Sequence, residues 1–588
     1  MKTHLVGWTC LAWSLCAANA GELDTSYLAA PDPGPIAKVW RAERRLIDLH
    51  EHIDRTPERL ARAVRIMDAS GIGIAVNLSG GTVTAKGAEP SEFERNKALA
   101  DKLYPGRFIF YMNLDYSGWE EPDFAEKAAR QIEDGHALGA AGFKEFKRLG
   151  LYLKDKAGKL LKIDDPKLDR VWERCGELGM PISIHVADPR AFWLPYTSAN
   201  ERWTELKDHP DWWFGDPAKY PPREELLAAL NRVITRHPKT TFVCVHFANN
   251  AEDIDWVEKM LDAHPNMYAD LAARIPELGR HDPDKVRRLF IKHQDRILFA
   301  TDFQVYDELT LGSGGSGPPP TDTDAMVFFA KHWRWLETRD RNFPHMTPIQ
   351  GDWTISGIGL PAPVLRKIYF DNARRLLARS LPPPRMQAAH ITTDFKPDGN
   401  LTKSIWQNAV PVRLEYQSRD GSARPELSTT VRAVWSDRFL YLSYACPFTQ
   451  LTVFSPPNLN QERLGLWDRD VVEAFIGDDW EHVGRYKEFE VAPTGEKLDV
   501  VLNLPAKDFQ WSSGFEPAVK VDNQFKIWTA EVRIPLAALS AVPPKPGARW
   551  RLNLYRCDRA GKASLAWNPT QTATFHVPEK FGILEFTE

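Results

Sequence analysis

From residue 46 to about residue 338 the sequence alternates short apolar runs with amphipathic stretches, and this alternation constrains the fold more than any other feature. The apolar runs fall at 46–50, 72–78, 108–114, 142–146, 182–186, 241–246, 267–271 and 297–300. Between them lie helix patterns at 57–70, 123–138, 168–178, 224–236, 253–264 and 283–294, several introduced by Asp or Pro, which favour helix N-termini. Strands separated by helices predict an α/β fold with a parallel sheet, and eight strands is the closing number of a (β/α)8 TIM-like barrel. The alternative is an open doubly wound sheet. No Gly-rich nucleotide fingerprint follows an early strand, so the barrel is the expected arrangement.

The chain has 588 residues, more than the roughly 250–300 over which one core grows, so a second domain is required. The texture changes at Leu381-Pro382-Pro383-Pro384. Beyond residue 390 the pattern is one of short alternating strands at turn-separated spacing, which predicts an all-β sandwich. The expected organisation is a signal peptide at 1–20, a barrel at 21–380, a linker at 381–389 and a β-sandwich at 390–588. The signal peptide rests on a polar start, an apolar run and the small-x-small site Ala18-Asn19-Ala20. It predicts a periplasmic or secreted protein. No later stretch is apolar and long enough to span a bilayer. The Gly/Pro/Ser tract at 311–320 is expected to be a mobile loop. A net charge of −4 lacks the basic footprint of a general nucleic-acid binder.

In such a barrel the chemistry sits at the C-terminal ends of the strands. His50 and His52 end the first run, and their i, i+2 spacing turns both imidazoles to one side. His185 ends the fifth run, His246 ends the sixth, and Asp302 follows the eighth. Three neutral imidazoles and a carboxylate suit Zn²⁺ or a similar borderline cation with one position left open. A single histidine so placed is more often structural, whereas five polar groups on one rim point to a site. Arg274, four residues past Asp270, is a candidate clamp for a substrate carboxylate, and a surface ion pair is the alternative.

These residues resemble the amidohydrolase superfamily. Gly139-Ala140-Ala141-Gly142-Phe143-Lys144 and the closing Ile368-Tyr369-Phe370-Asp371-Asn372-Ala373-Arg374-Arg375-Leu376-Leu377 look like its amidohydrolase-related branch. That branch includes metal-dependent hydrolases, lactonases, hydratases and decarboxylases, and the resemblance covers roughly residues 45–378. It implies a barrel in which His50, His52, His185 and Asp302 hold a metal, most simply one Zn²⁺. Asp302 would also act catalytically by moving a proton from the activated water. His246 would be the second catalytic residue, orienting or polarising the substrate. In some members a carboxylated Lys on the fourth strand bridges two metals. Lys144 stands there as a possible second metal bridge, although a supporting or surface Lys, and hence one metal, is the simpler expectation.

Residues 390–588 resemble a family 9 carbohydrate-binding module. The resemblance lies in the segment 466–476, Leu-Trp-Asp-Arg-Asp-Val-Val-Glu-Ala-Phe-Ile, and in Phe489-Glu490-Val491-Ala492-Pro493-Thr494-Gly495. It implies sugar stacking on aromatic rings, with Trp467 and Trp567 as the candidate carbohydrate-binding stackers. Trp435, Trp528 and Trp550 sit at core-like strand positions. The alternative is a domain that binds no glycan. Cys446 and Cys557 could pair, and the sequence leaves this open. The expected function is an exported metal-dependent hydrolase of an ester, lactone or amide bond in a small sugar-derived or carboxylated substrate. The C-terminal domain would serve as its glycan-binding accessory. A decarboxylase of the same superfamily is the first alternative and a non-catalytic glycan-binding protein the second.

Overall fold

The computed structural model describes residues 34–588, and the expected signal peptide lies outside them. The chain forms two compact units, one ending at Asn372 and the other beginning at Ala373.

The first unit holds eight parallel strands that neighbour one another in chain order. They are β1 (Leu46–Ile53), β2 (Ile72–Asn77), β3 (Phe108–Met112), β4 (Gly142–Glu145), β5 (Ile182–Ile184), β6 (Phe242–Cys244), β7 (Met267–Asp270) and β8 (Ile297–Leu298). Each begins where the sequence pattern places an apolar run or within one residue of it, and several stop a residue or two earlier. The sheet closes through main-chain bonds on the free side of β1. Leu49 N donates to Phe299 O at 3.1 Å and Asp302 N donates to His50 O at 2.9 Å. A ninth strand, β9 (Phe303–Val305), then runs parallel to β1 from Glu51 to Ile53. An open sheet would leave that edge unpaired, so the barrel is the arrangement present.

Several of the helices that flank the strands begin on polar caps, as the sequence suggests. Thr56 Oγ1 accepts from Arg59 N at the start of Pro57–Ser70, and Gly71, at φ 87°, ends that helix in the left-handed conformation. Asp253 and Asp282 cap Ile254–Ala263 and Pro283–Lys292 with their carboxylates. The buried faces carry Leu60, Ala63, Val64 and Met67 on the first helix and Val286, Leu289 and Phe290 on the last.

The second unit is all-β. Strands Val471–Gly477, Arg485–Val491 and Lys497–Asn503 form an antiparallel meander, and Arg549–Asp558 pairs on its other side. The segment expected to be a linker at 381–389 is a strand for much of its length. Arg385–His390 runs parallel to both Gly582–Thr587 and Thr429–Trp435. Its reading Arg-Met-Gln-Ala-Ala-His buries Met386 and Ala388 alternately, a period-2 pattern that the preceding prolines obscure. Trp435, Trp528, Trp550 and Trp567 all lie in the main core of this unit. All four described cysteines are buried free thiols, so Cys446 and Cys557 do not pair.

Candidate active site

All seven barrel residues singled out from the sequence line one cavity of about 1320 Å³: His50, His52, Lys144, His185, His246, Arg274 and Asp302. The local sequence explains each placement. On β1 the alternation turns Asp48, His50 and His52 to the same side, and all eight positions of the strand are buried. On β4, Gly142 permits close packing, because a Cβ there would stand 2.5 Å from the Tyr111 ring. That packing sets the register that sends Lys144 inward.

His50, His246 and Asp302 bring one ligating atom each to within 4.8 Å of one another. His52 completes the group, with its Nε2 3.2 Å from His50 Nε2 and 3.6 Å from Asp302 Oδ1. Asp270, at the end of β7, holds two of these residues. Its Oδ2 accepts from His50 Nδ1 at 3.0 Å, and its Oδ1 accepts from the main-chain N of His246 at 2.7 Å. His246 Nδ1 donates to Ala272 O at 2.8 Å. Both rings therefore carry their proton on Nδ1 and present an Nε2 lone pair to the cavity. Ser79 Oγ lies 2.6 Å from His52 Nδ1 and orients the third ring. Asp270 is a residue the sequence reading passed over, although its position at the end of a strand was the available signal.

Burial and neighbouring cations hold His50, His52 and His246 well below the ordinary imidazole range, so the three rings are neutral. Burial pushes the Asp302 carboxyl up to about 6, opposed by Lys144 and by Gln304. Lone pairs that converge from neutral imidazoles, with a carboxylate beside them, are the donor chemistry that a divalent transition metal requires. The residues present fit such an ion.

His185 differs from its expected place. Its Nε2 lies 3.0 Å from Ala187 O and 3.4 Å from Asp188 Oδ1, turned away from the tight group, while its ring stays 4.4 Å from that of His246. Asp188 draws it there, and Lys147 grips Asp188 at 2.5 Å. Burial raises the Asp188 carboxyl, but Lys147 and His185 outweigh it and hold the group below the usual carboxylate range. Burial also takes His185 itself down to about 4.

Lys144 is fully buried and is therefore no surface residue. Its Nζ lies 3.5 Å from His50 Nε2, and burial lowers it to about 8 against the pull of Asp270 and Asp302. Arg274 is 7% exposed and lines the cavity, which excludes the surface ion pair. It donates to Ala273 O and lies 3.6 Å from Asp188 Oδ1. The tract at 311–320, expected to be mobile, forms part of the cavity wall. Thr347 Oγ1 donates to Leu311 O, His209 Nε2 lies 2.9 Å from Gly314 O, and Ser316 N donates to Asp208 Oδ2.

The C-terminal unit has its own cavity of about 580 Å³, lined in part by Trp467, Phe509, Phe575, Glu473, Glu488 and Lys507. Trp467 is half-buried there. Trp567 is not a stacking surface. It is 6% exposed in the main core, and its six-membered ring lies against Gly582, where a Cβ would come within 2.6 Å. The Asn-Pro turn after it gives a sequence cue shared by exposed loop aromatics, and packing against a glycine is not visible in that cue.

Residues 47–379 match the family described as Amidohydrolase, and residues 398–588 match the family 9 carbohydrate-binding domain-like family. A protein of Arthroderma benhamiae described as an extracellular protein is 26% identical over 199 residues, which is 30% of this chain and 86% of that protein. Among solved structures, the 2,6-dihydroxybenzoate decarboxylase from Rhizobium is 16% identical, covering 57% of this chain and 98% of its own, with a TM-score of 0.32. A family 9 module from Caldicellulosiruptor kristjanssonii in complex with cellotriose is 16% identical, covering 35% and 94%, with a TM-score of 0.26. The chain belongs to the amidohydrolase family, and its C-terminal unit is a family 9 carbohydrate-binding-like domain.

Proposed function

We propose that the barrel is a metal-dependent hydrolase that cleaves an ester, lactone or amide bond in a small sugar-derived or carboxylated substrate. The observation that carries this reading is the group of His50, His246 and Asp302, with His52 beside it, on the floor of a large cavity at the strand ends. His50, His52 and Asp302 would hold the ion, with His185 as the fourth donor implied by the family resemblance. A divalent cation bound there, Zn²⁺ by donor type, supplies Lewis acidity toward a carbonyl oxygen and acidifies water.

The chain's own residues do the rest. Asp302 takes the proton of the attacking water at its carboxylate and returns it to the leaving group. His246, held by Asp270 and Ala272, presents its Nε2 lone pair to the cavity and orients the substrate by accepting a hydrogen bond from one of its N–H or O–H groups. Arg274 offers its planar fork to a substrate carboxylate, in a buried setting where a charge-assisted bond is strong. Lys144 bears on the same floor and would become the bridge if a second ion bound. The expected signal peptide, with the extracellular description of the Arthroderma benhamiae protein, supports a periplasmic or secreted location. The half-buried Trp467 in the second cavity supports glycan binding by the C-terminal unit.

A decarboxylase is the second reading, favoured by the buried Lys144 ammonium 3.5 Å from His50, which could protonate a carbanion. Product analysis separates the two. Incubation with sugar lactones, aryl esters and aromatic acids should release acid from the first two, with no CO₂ from the third. Release of CO₂ alone would overturn the hydrolase reading in favour of decarboxylation.

A further inference from the structure

The cavity of the C-terminal unit has an uneven distribution of charge. Its two lining carboxyls, Glu473 and Glu488, are 2% and 5% exposed. Burial, and for Glu473 the closeness of Glu488, pushes both upward: Glu488 to about 7 and Glu473 well above its usual range. The buried part of the cavity therefore carries little of the negative charge its composition suggests. The other charged residues in the lining are all cations, Arg419, Lys507 and Arg559, and all three are exposed.

Among the described residues, no carboxylate stands within ion-pair distance of any of these three. Two of them are nevertheless fixed in place. Lys507 Nζ donates to His576 Nε2 at 2.6 Å, and Arg559 donates to the main-chain oxygen of Trp467. The second bond holds a guanidinium at the main chain of the residue whose indole would carry a sugar face. The aromatic surfaces of Trp467, Phe509 and Phe575 thus share one cavity with three exposed cations. A neutral sugar could use the rings and hydrogen bonds to its hydroxyls but would leave the three cations without a counter-charge.

We propose that this cavity selects an anionic sugar, a hexose unit whose ring lies on Trp467 and whose carboxylate or sulfate ester is met by Arg419, Lys507 and Arg559. The proposal rests on the reading of the cavity as a glycan site and adds the class of glycan. Arginine and lysine bind both anions, the guanidinium through a planar fork that matches a carboxylate or a sulfate edge. Because the cations are exposed, their contribution is modest and screened by salt.

The test is calorimetric titration of the full chain with three trisaccharides: a neutral galactose oligomer, its galacturonate counterpart and its 6-sulfated counterpart. At about 50 mM salt at least one anionic probe should bind about tenfold tighter than the neutral one, and the preference should shrink at about 500 mM. Whichever anion is preferred identifies the source of the charge. Arg419→Gln combined with Lys507→Gln should cut the preference to less than about threefold, as expected for removing exposed charges. Trp467→Ala should weaken binding of the neutral and anionic probes alike. Equal or tighter binding of the neutral oligomer would overturn the selectivity while leaving the glycan reading intact. Binding of the anionic probe undiminished in Trp467→Ala would also overturn it, by assigning that binding to another part of the chain. Failure of all three probes to bind would overturn the glycan reading itself.

Discussion

Asp270 organises the rim by acting on two histidines at once. One carboxylate oxygen fixes the tautomer of His50, and the other holds the main chain of His246. A carboxylate behind a ligand histidine raises its basicity and fixes its ring, and losing such a partner typically costs about 10–100-fold in metal affinity. Asp270→Asn should therefore retain Zn²⁺ about 10–100-fold less well against a chelator-buffered series, with an unchanged far-UV circular dichroism spectrum. The two tryptophans of the C-terminal unit should divide in the same manner. Trp567→Ala should cost about 3–5 kcal/mol in denaturant unfolding, as a buried aromatic in a packed core does. Trp467→Ala, at a half-buried cavity wall, should cost far less and weaken sugar binding. Sequence alone could not rank these residues. Both sit near turns in similar surroundings, and the packing of Trp567 against Gly582 depends on residues 15 positions apart in the chain.

At the scale of elements, the segment after β6 is the most strained part of the site. His246, Phe247, Ala248 and Asn249 all have φ between 52° and 58°, in a region that costs a non-glycine residue about 1–2 kcal/mol. The turn is held from outside. Arg223, buried at the start of Arg223–Arg236, donates to Asn249 O at 2.5 Å, Asn250 Oδ1 at 3.0 Å and Asp188 O at 2.9 Å. Arg223→Ala leaves those buried acceptors unpaired and should cost about 3 kcal/mol by urea unfolding, while lowering activity through the displaced His246. The eight strands were legible because a buried parallel sheet writes itself as short apolar runs. The histidines were legible because they stand where those runs end. The turn of His185 toward Asp188 was not, since it depends on the grip of Lys147 on Asp188 across two strand ends. The strand Arg385–His390 was hidden for a related reason. Its partners, Thr429–Trp435 and Gly582–Thr587, lie far away in sequence, and three prolines precede it.

For the whole molecule, acid sensitivity follows from histidines buried in the neutral state. His332, on the helix Asp322–Glu337, donates Nδ1 to Phe328 O, and burial takes it down to about 4. Above pH ~6.5, the ordinary imidazole value, both folded and unfolded chains hold it neutral and its contribution to stability is complete. As the pH falls from there toward 4, the unfolded chain takes the proton first. Stability is then lost at about 1.4 kcal/mol per pH unit. His332→Phe should flatten the urea-midpoint profile between those values by about that slope, and an unchanged profile would show that His332 does not carry the effect. Two units with separate cores and separate cavities also mean that catalysis and glycan binding should be separable by substitution. The histidine cluster that defines the barrel's chemistry is nevertheless the claim on which the rest depends. Metal content of the purified full-length protein, read by inductively coupled plasma mass spectrometry, tests it most directly. The account predicts about one divalent transition metal per chain, as a site of three or four protein ligands holds. It predicts loss of that metal in His50→Ala, His52→Ala and Asp302→Asn, and in His185→Ala more than in His246→Ala. A chain that purifies without a transition metal, and takes up none from buffered Zn²⁺, would contradict it.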